Sequence, residues 1–110
     1  MFNKITIIGC GLIGSSLLRV ISKKKLAKEI NVFDKSKEVS SFIKKNLSAN
    51  VFNDISESVK NSDLVIISTP LGSYKEVLLS IKSSLKKNVI LTDTGSVKKE
   101  VNKIISNLNL

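Results

Sequence analysis

Three short stretches are dominated by apolar, β-branched residues: Ile5-Thr6-Ile7-Ile8, Leu64-Val65-Ile66-Ile67 and Val89-Ile90-Leu91. Such runs, continuous where a half-buried strand would alternate, predict strands covered on both faces, as in a parallel sheet between helical layers. A fourth run, Ile30-Asn31-Val32-Phe33, is half polar, and a fifth around Val51-Phe52 is too short to separate from a connector. Between the runs the apolar positions change period. Ile13, Leu17, Val20 and Ile21 predict one helical face, and Val39, Phe42, Ile43 and Leu47 a second. Asp54 with Glu57, and Ser73 with Glu76, stand at capping-box spacing. Helices are expected to start there and to turn Ile55/Val59 and Val77/Leu78/Ile81/Leu85 inward. Val97, Val101, Ile104, Ile105 and Leu108 predict a last helix. The order βαβαβαβαβα predicts an α/β fold: a doubly wound parallel sheet of about five strands, with helices on both faces and right-handed crossovers.

Composition narrows the chemistry. The chain has 110 residues, no histidine, no tryptophan and one cysteine. That length supports one domain, burying roughly two thirds of the surface its unfolded form exposes. Without histidine there is no Ser-His-Asp triad and no His-ligated metal site; Cys10 alone forms neither an internal disulfide nor a cysteine-rich zinc site, so no metal is expected. The net charge of +9 comes from lysines spread along the chain, in short runs such as Lys23-Lys24-Lys25 and Lys44-Lys45. Neither arginine forks nor stacking aromatics interleave with them, so a solvated surface is expected and nucleic acid is not. Residues 5–21 are apolar but interrupted by Gly9, Gly11 and Gly14, too short to span a bilayer and without a cleavage pattern. A cytoplasmic protein is expected, without a membrane partner.

After the first run comes Gly9-Cys10-Gly11-Leu12-Ile13-Gly14, a GxGxxG that opens a helix. In that context Gly9 permits the tight turn, Gly11 admits a pyrophosphate close to the backbone, Gly14 lets helix pack on strand, and the helix N-terminus faces the anion. This is the fingerprint of a Rossmann-type dinucleotide site. Asp34 closes the second strand, twenty residues after Gly14. An acid there accepts hydrogen bonds from the adenosine ribose and repels a 2′-phosphate, which favours NAD over NADP; Lys35 and Lys37 leave NADP open. Cys10 reads as a small packed side chain and not a redox group.

Ser68-Thr69-Pro70-Leu71-Gly72 closes the Leu64 run, where ligands of open α/β sheets bind; an ordinary strand-to-helix loop explains the segment equally well. Thr92-Asp93-Thr94-Gly95-Ser96-Val97-Lys98 would gather a hydroxyl, backbone N–H groups and an ammonium, suited to an anionic substrate or the nicotinamide ribose. Plain N-capping by Ser96 accounts for the same pattern. The residues assigned to the dinucleotide are therefore Gly9, Gly11, Leu12, Ile13 and Gly14, Asp34 and Lys35, Thr69, Pro70 and Leu71, and Asp93 and Gly95.

The glycine fingerprint, the aspartate-tipped second strand, the Ser68-Thr69-Pro70 loop and above all TDTGSVK over residues 92–98 resemble the prephenate/arogenate dehydrogenase family of tyrosine biosynthesis. The resemblance covers essentially the whole chain and its amino-terminal, NAD(P)-binding part. It implies oxidative decarboxylation of a cyclohexadienol with hydride transfer to NAD(P). It further implies that Ser96 lies at the substrate, prephenate or arogenate, and acts there as the catalytic or base-orienting hydroxyl. The family's downstream histidine and substrate-binding arginines have no counterpart here, nor has its helical dimerisation domain. Residues 1–110 are thus expected to be a partial NAD(P)-binding domain, binding dinucleotide weakly and inactive alone, within a family whose full-length members are homodimers. Two further readings stand beside it. A cofactor domain of another β-hydroxyacid-type dehydrogenase or imine reductase shares the glycine and STP-like loops, though usually not GSVK. A non-catalytic nucleotide-sensing module shares the fold, and Pro70 argues against it.

Overall fold

A computed structural model describes residues 2–94, apart from the Leu71 side chain. The elements run β1 (Phe2–Ile8), α1 (Leu12–Lys23), β2 (Ala27–Phe33), α2 (Lys37–Asn46), β3 (Asn50–Phe52), α3 (Ile55–Val59), β4 (Leu64–Ile67), a 3-10 turn over Leu71–Ser73, α4 (Tyr74–Ile81) and β5 (Ile90–Asp93). All five strands are parallel in the order β3-β2-β1-β4-β5. The short Val51-Phe52 run is thus a true strand, paired through Val32↔Val51 and Phe33↔Phe52. The chain winds outward from β1 to β3, then returns to β4 on the other side of β1. That reversal is the topological switch point at which open α/β sheets form a crevice.

Side-chain alternation splits the core in two. Ile5, Ile7, Leu64 and Ile66 pack under α1 and α2 with Leu17, Leu18, Ile21 and Ile43. Ile8, Val65 and Ile67 pack on the opposite face with Val59, Val77 and Ile81. β1 and β4 are therefore covered on both sides, as their continuous apolarity predicts. Three expectations need correction. The buried face of α1 is Gly14, Leu17, Leu18 and Ile21, whereas Ile13 is 54% exposed. Gly14, which has no side chain, is the residue that meets the sheet's glycine turn, and this rotates Ile13 outward. In α2 only Ile43 is fully buried and Phe42 is 48% exposed. β5 is covered on neither face among the described residues, with Ile90 53% exposed.

The predicted caps hold in part. Asp54 caps α3, accepting from the Ser56 N–H at 3.0 Å, while Glu57 pairs with Lys60 instead of returning to the cap. Ser73 makes no side-chain cap, because the 3-10 turn already leads the chain into α4. At the N-terminal ends of the strands, Lys25, Asn61 and Asn88 hold φ values of 53°, 61° and 68° in the turns before β2, β4 and β5. There too the Asp63 carboxylate accepts from the Asn3 and Lys4 N–H groups and pairs with Lys86, tying β1 to β4 and to the turn before β5.

Candidate functional site

The glycine loop lies above the C-terminal end of β1, and its three glycines stand there for different reasons. Gly9 has φ +81° and donates its N–H to the Phe33 carbonyl at 2.8 Å; a Cβ there would come within 2.7 Å of Thr69 Cγ2. At Gly14 a Cβ would lie 2.6 Å from the Gly9 carbonyl oxygen. Both positions are glycine because the protein packs against itself there, and Gly14 packs on the loop carbonyl more than on the strand. A Cβ at Gly11 would meet no protein atom within 4 Å. Nothing within the described protein crowds that position, which leaves the space over the loop open to a ligand approaching from outside.

That approach leads to a helix end suited to an anion. The N-terminus of α1 has no side-chain cap and no acid in its first turn. First-turn N–H groups have no intrahelical acceptor, and they carry the positive end of the helix dipole. Leu12 and Ile13 carry two of these backbone groups, while the residues themselves are 89% and 54% exposed and neither lines the crevice that opens beside the loop.

Asp34, directly after β2, does more than the motif suggests. Its Oδ2 accepts from the Cys10 N–H at 2.6 Å and its Oδ1 from the Ser36 N–H at 2.8 Å. The carboxylate thereby joins the glycine loop to the turn that starts α2. Cys10 is buried, and burial, with the nearby Asp34 charge adding and the Ser15 contact opposing, pushes its thiol up to about 11. It is a packed side chain, not a thiolate nucleophile.

Between the loops after β1, β2 and β4 opens a crevice of about 550 Å³. Gly9, Gly11, Asp34, Lys35, Thr69 and Pro70 line it, so the structure brings these six predicted residues together. Thr69 Oγ1 is buried there without a hydrogen-bond partner, which leaves a polar atom for a ligand to satisfy. Asp93 ends β5 opposite Ile67 and is not among the lining residues, and the Leu71 side chain, Gly95 and Ser96 lie outside the described residues. Missed from the sequence are the apolar wall of Val39, Ile55 and Val77 and the acid Glu76. Helical periodicity marks Val39, Ile55 and Val77 as inward, but not that they face a crevice in place of core. Tested against a dinucleotide, the residues fit: an open glycine over an uncapped helix end for phosphates, an acid at the ribose position and an orphaned hydroxyl beyond. Among the described residues no three His, Cys, Asp or Glu side chains gather as metal ligands, and no helix is long and apolar enough to cross a membrane.

Residues 4–96 match the family described as NADP oxidoreductase, coenzyme F420-dependent. The chain belongs to that family. Among relatives of this NADP oxidoreductase family chain, a cyclohexadienyl dehydrogenase from Zymomonas mobilis is 39% identical over 106 residues, covering 96% of the chain and 36% of the relative. A prephenate dehydrogenase from Lactococcus lactis is 32% identical over 107 residues, covering 96% and 30%. The chain thus spans about a third of the length of these dehydrogenases. A UDP-N-acetylmuramoylalanine–D-glutamate ligase from Buchnera aphidicola is also 34% identical over 101 residues, though over only 22% of its length, so identity of this size does not alone fix the chemistry. In fold, the chain is similar to 3-hydroxyisobutyrate dehydrogenase from Mycobacterium tuberculosis (TM-score 0.76, 19% identity, 84% of this chain and 31% of that one). It is similar in the same way to prephenate dehydrogenase from A. aeolicus, solved with hydroxyphenyl propionate and NAD+ (TM-score 0.74, 18% identity, 84% and 33%). The resemblance to prephenate and arogenate dehydrogenases read from the motifs therefore agrees with both comparisons, and the family is one of NAD(P)-dependent oxidoreductases.

Proposed function

We propose that this chain is the dinucleotide-binding portion of a prephenate or arogenate dehydrogenase of tyrosine biosynthesis, acting in the cytoplasm as part of a homodimer. Gly11 carries the reading: its open Cα over the uncapped α1 N-terminus leaves room for a pyrophosphate to reach the backbone N–H groups. Gly9 and Gly14 shape the loop, the Leu12 and Ile13 amides face the phosphates, and Asp34 with Lys35 meets the adenosine ribose. Thr69, Pro70 and Leu71 border the path toward the nicotinamide, with Asp93 and Gly95 beyond it and Ser96 at the substrate. When bound, NAD(P) accepts the hydride.

The substrate class rests on the 39% and 32% identities to cyclohexadienyl and prephenate dehydrogenases together with the TDTGSVK segment. With no histidine in its 110 residues, the chain has none of the imidazole base that the resemblance assigns to the substrate's ring hydroxyl. General-base help is typically worth about 10² to 10⁴ in rate. The purified chain is therefore expected to bind NAD+ without turnover. Steady prephenate-dependent NADH formation by these residues alone would contradict this division of labour, and absence of any NAD(P) binding would contradict the reading itself.

A further inference from the structure

The polar residues set within the apolar strands form a connected network on the face of the sheet that α3 covers. Thr6, Asn31, Ser58 and Ser62 are each no more than 2% exposed. The Ser58 carbonyl of α3 accepts from Thr6 Oγ1 at 2.7 Å and from Asn31 Nδ2 at 3.1 Å. A hydroxyl has one proton, so Thr6 is the acceptor in its contact with Ser62 Oγ. Asn50 Nδ2 donates to Asn31 Oδ1 at 3.2 Å and closes the far end, with Thr6, Asn31 and Asn50 side by side in register across β1, β2 and β3. Helix α3 has only five residues, too few to be stable alone, and its last carbonyls lack intrahelical partners. Apolar contact is non-directional and does not fix where such a turn lies along the strands, whereas hydrogen bonds do.

What α3 holds in place is part of the crevice. Ile55 lines it, and the Ser58 hydroxyl donates to the Ile55 carbonyl at 2.7 Å. Ser56 Oγ donates to the Ser80 carbonyl of α4 at 3.3 Å, and Ser80 and Val77 line the same crevice. We propose that Thr6 and Asn31 are positioning residues for the dinucleotide: by fixing the Ser58 carbonyl they set Ile55 against the base of the adenosine whose ribose meets Asp34. The proposal rests on the dinucleotide reading, and it gives the half-polar β2 run a role. Burial on this face is served by apolar residues at Ile8 and Val65; the hydroxyl of Thr6 and the amide of Asn31 add direction.

The test titrates the purified chain with 5′-AMP and with NAD+, beside the thermal melt of each variant. A buried hydrogen bond is worth a factor of roughly three to ten, so Thr6→Val is expected to weaken both ligands by that factor, and Thr6→Ser, which keeps the hydroxyl, to bind within about twofold of the parent. Ile55→Ala is expected to weaken 5′-AMP similarly, and Thr6→Val on the Ile55→Ala background to add less than about twofold, because both act through one contact. Ile21→Val, in the core on the opposite face of the sheet, is expected to lower the melt and leave both affinities unchanged, which separates positioning from loss of stability. Should Thr6→Val fail to fold, Asn50→Ala removes only the exposed end of the network and is expected to weaken 5′-AMP roughly two- to threefold at an unchanged melt. Parent-like 5′-AMP binding by Thr6→Val, or by Asn50→Ala in its place, would overturn the proposal and leave the dinucleotide reading intact. So would parent-like binding by Ile55→Ala, effects that multiply in the double variant, or equal weakening by Ile21→Val. A parent that binds neither ligand would overturn both.

Discussion

Gly14 shows most plainly how one residue sets the geometry around it. With the Gly9 carbonyl 2.6 Å from where a Cβ would stand, any side chain forces α1 away from the glycine turn. Gly14→Leu is expected to destabilise the fold by about 1–3 kcal/mol or more, seen as a lower thermal midpoint; a melt matching the parent would contradict the packing. Asp34 acts by two routes, through the Cys10 and Ser36 amides and through any ribose. Asp34→Ser is expected to cost about 1–3 kcal/mol in urea unfolding by leaving the Cys10 N–H without its acceptor, as well as weakening NAD+. Undiminished stability and affinity together would remove both roles. Cys10, with its thiol pushed up to about 11, stays protonated through neutral and mildly alkaline pH. It is expected to resist iodoacetamide at pH 8 in the native chain and to react once urea exposes it. Spacing reveals which residues surround the loop. That Asp34 holds the loop together is invisible in sequence, because the hydrogen bond to Cys10 spans 24 positions and depends on where β1 and β2 end.

Among the elements, β1 and β4 were legible because unbroken apolarity has one physical meaning, burial on both faces. α1 and α2 were legible as helices but not in their rotation. Periodicity weighs Ile13 and Val20 like Leu17, and only the contact at Gly14 decides which stripe turns inward. β3 needed its neighbour: three residues carry little signal until β2 offers its free edge. The turns entering β2, β4 and β5 each use a left-handed residue, Asn in two cases and Lys25 in the third. A side chain beyond Asn or Gly in that region costs about 1–2 kcal/mol, so Lys25→Gly is expected to be neutral or stabilising by thermal melt, despite the freedom it adds to the unfolded chain. At the same end of the strands Asp63 is held at about 2, below its ordinary 3.8, chiefly by Lys86 and then by the Lys4 and Asn3 amides. A depressed carboxylate contributes stability that is fully present above its unfolded value and is lost as pH falls through the folded one. Urea midpoints are therefore expected to drop between about pH 4 and pH 2, and Asp63→Asn to flatten that drop while lowering the midpoint at neutral pH.

At the scale of the whole molecule, the candidate site residues lie at the C-terminal ends of the strands, and the Asp63 contacts with β1 and Lys86 lie at their N-terminal ends. The crevice position followed from topology, and topology from five runs and the helices between them. Its apolar wall did not, since Val39, Ile55 and Val77 come from α2, α3 and α4 meeting across loops that no local pattern links. The central claim is that the glycine loop exists to receive a dinucleotide, and Gly11 isolates it. A Cβ there meets no protein atom within 4 Å, and the residue's φ of −70° lies outside the left-handed region that favours glycine. Calorimetric titration of the parent and of Gly11→Leu with NAD+ and NADP+, beside their thermal melts, separates ligand from fold. The parent is expected to bind at a single site, and the variant to lose that binding by at least tenfold with an unchanged melt. Equal binding by both chains would contradict the claim.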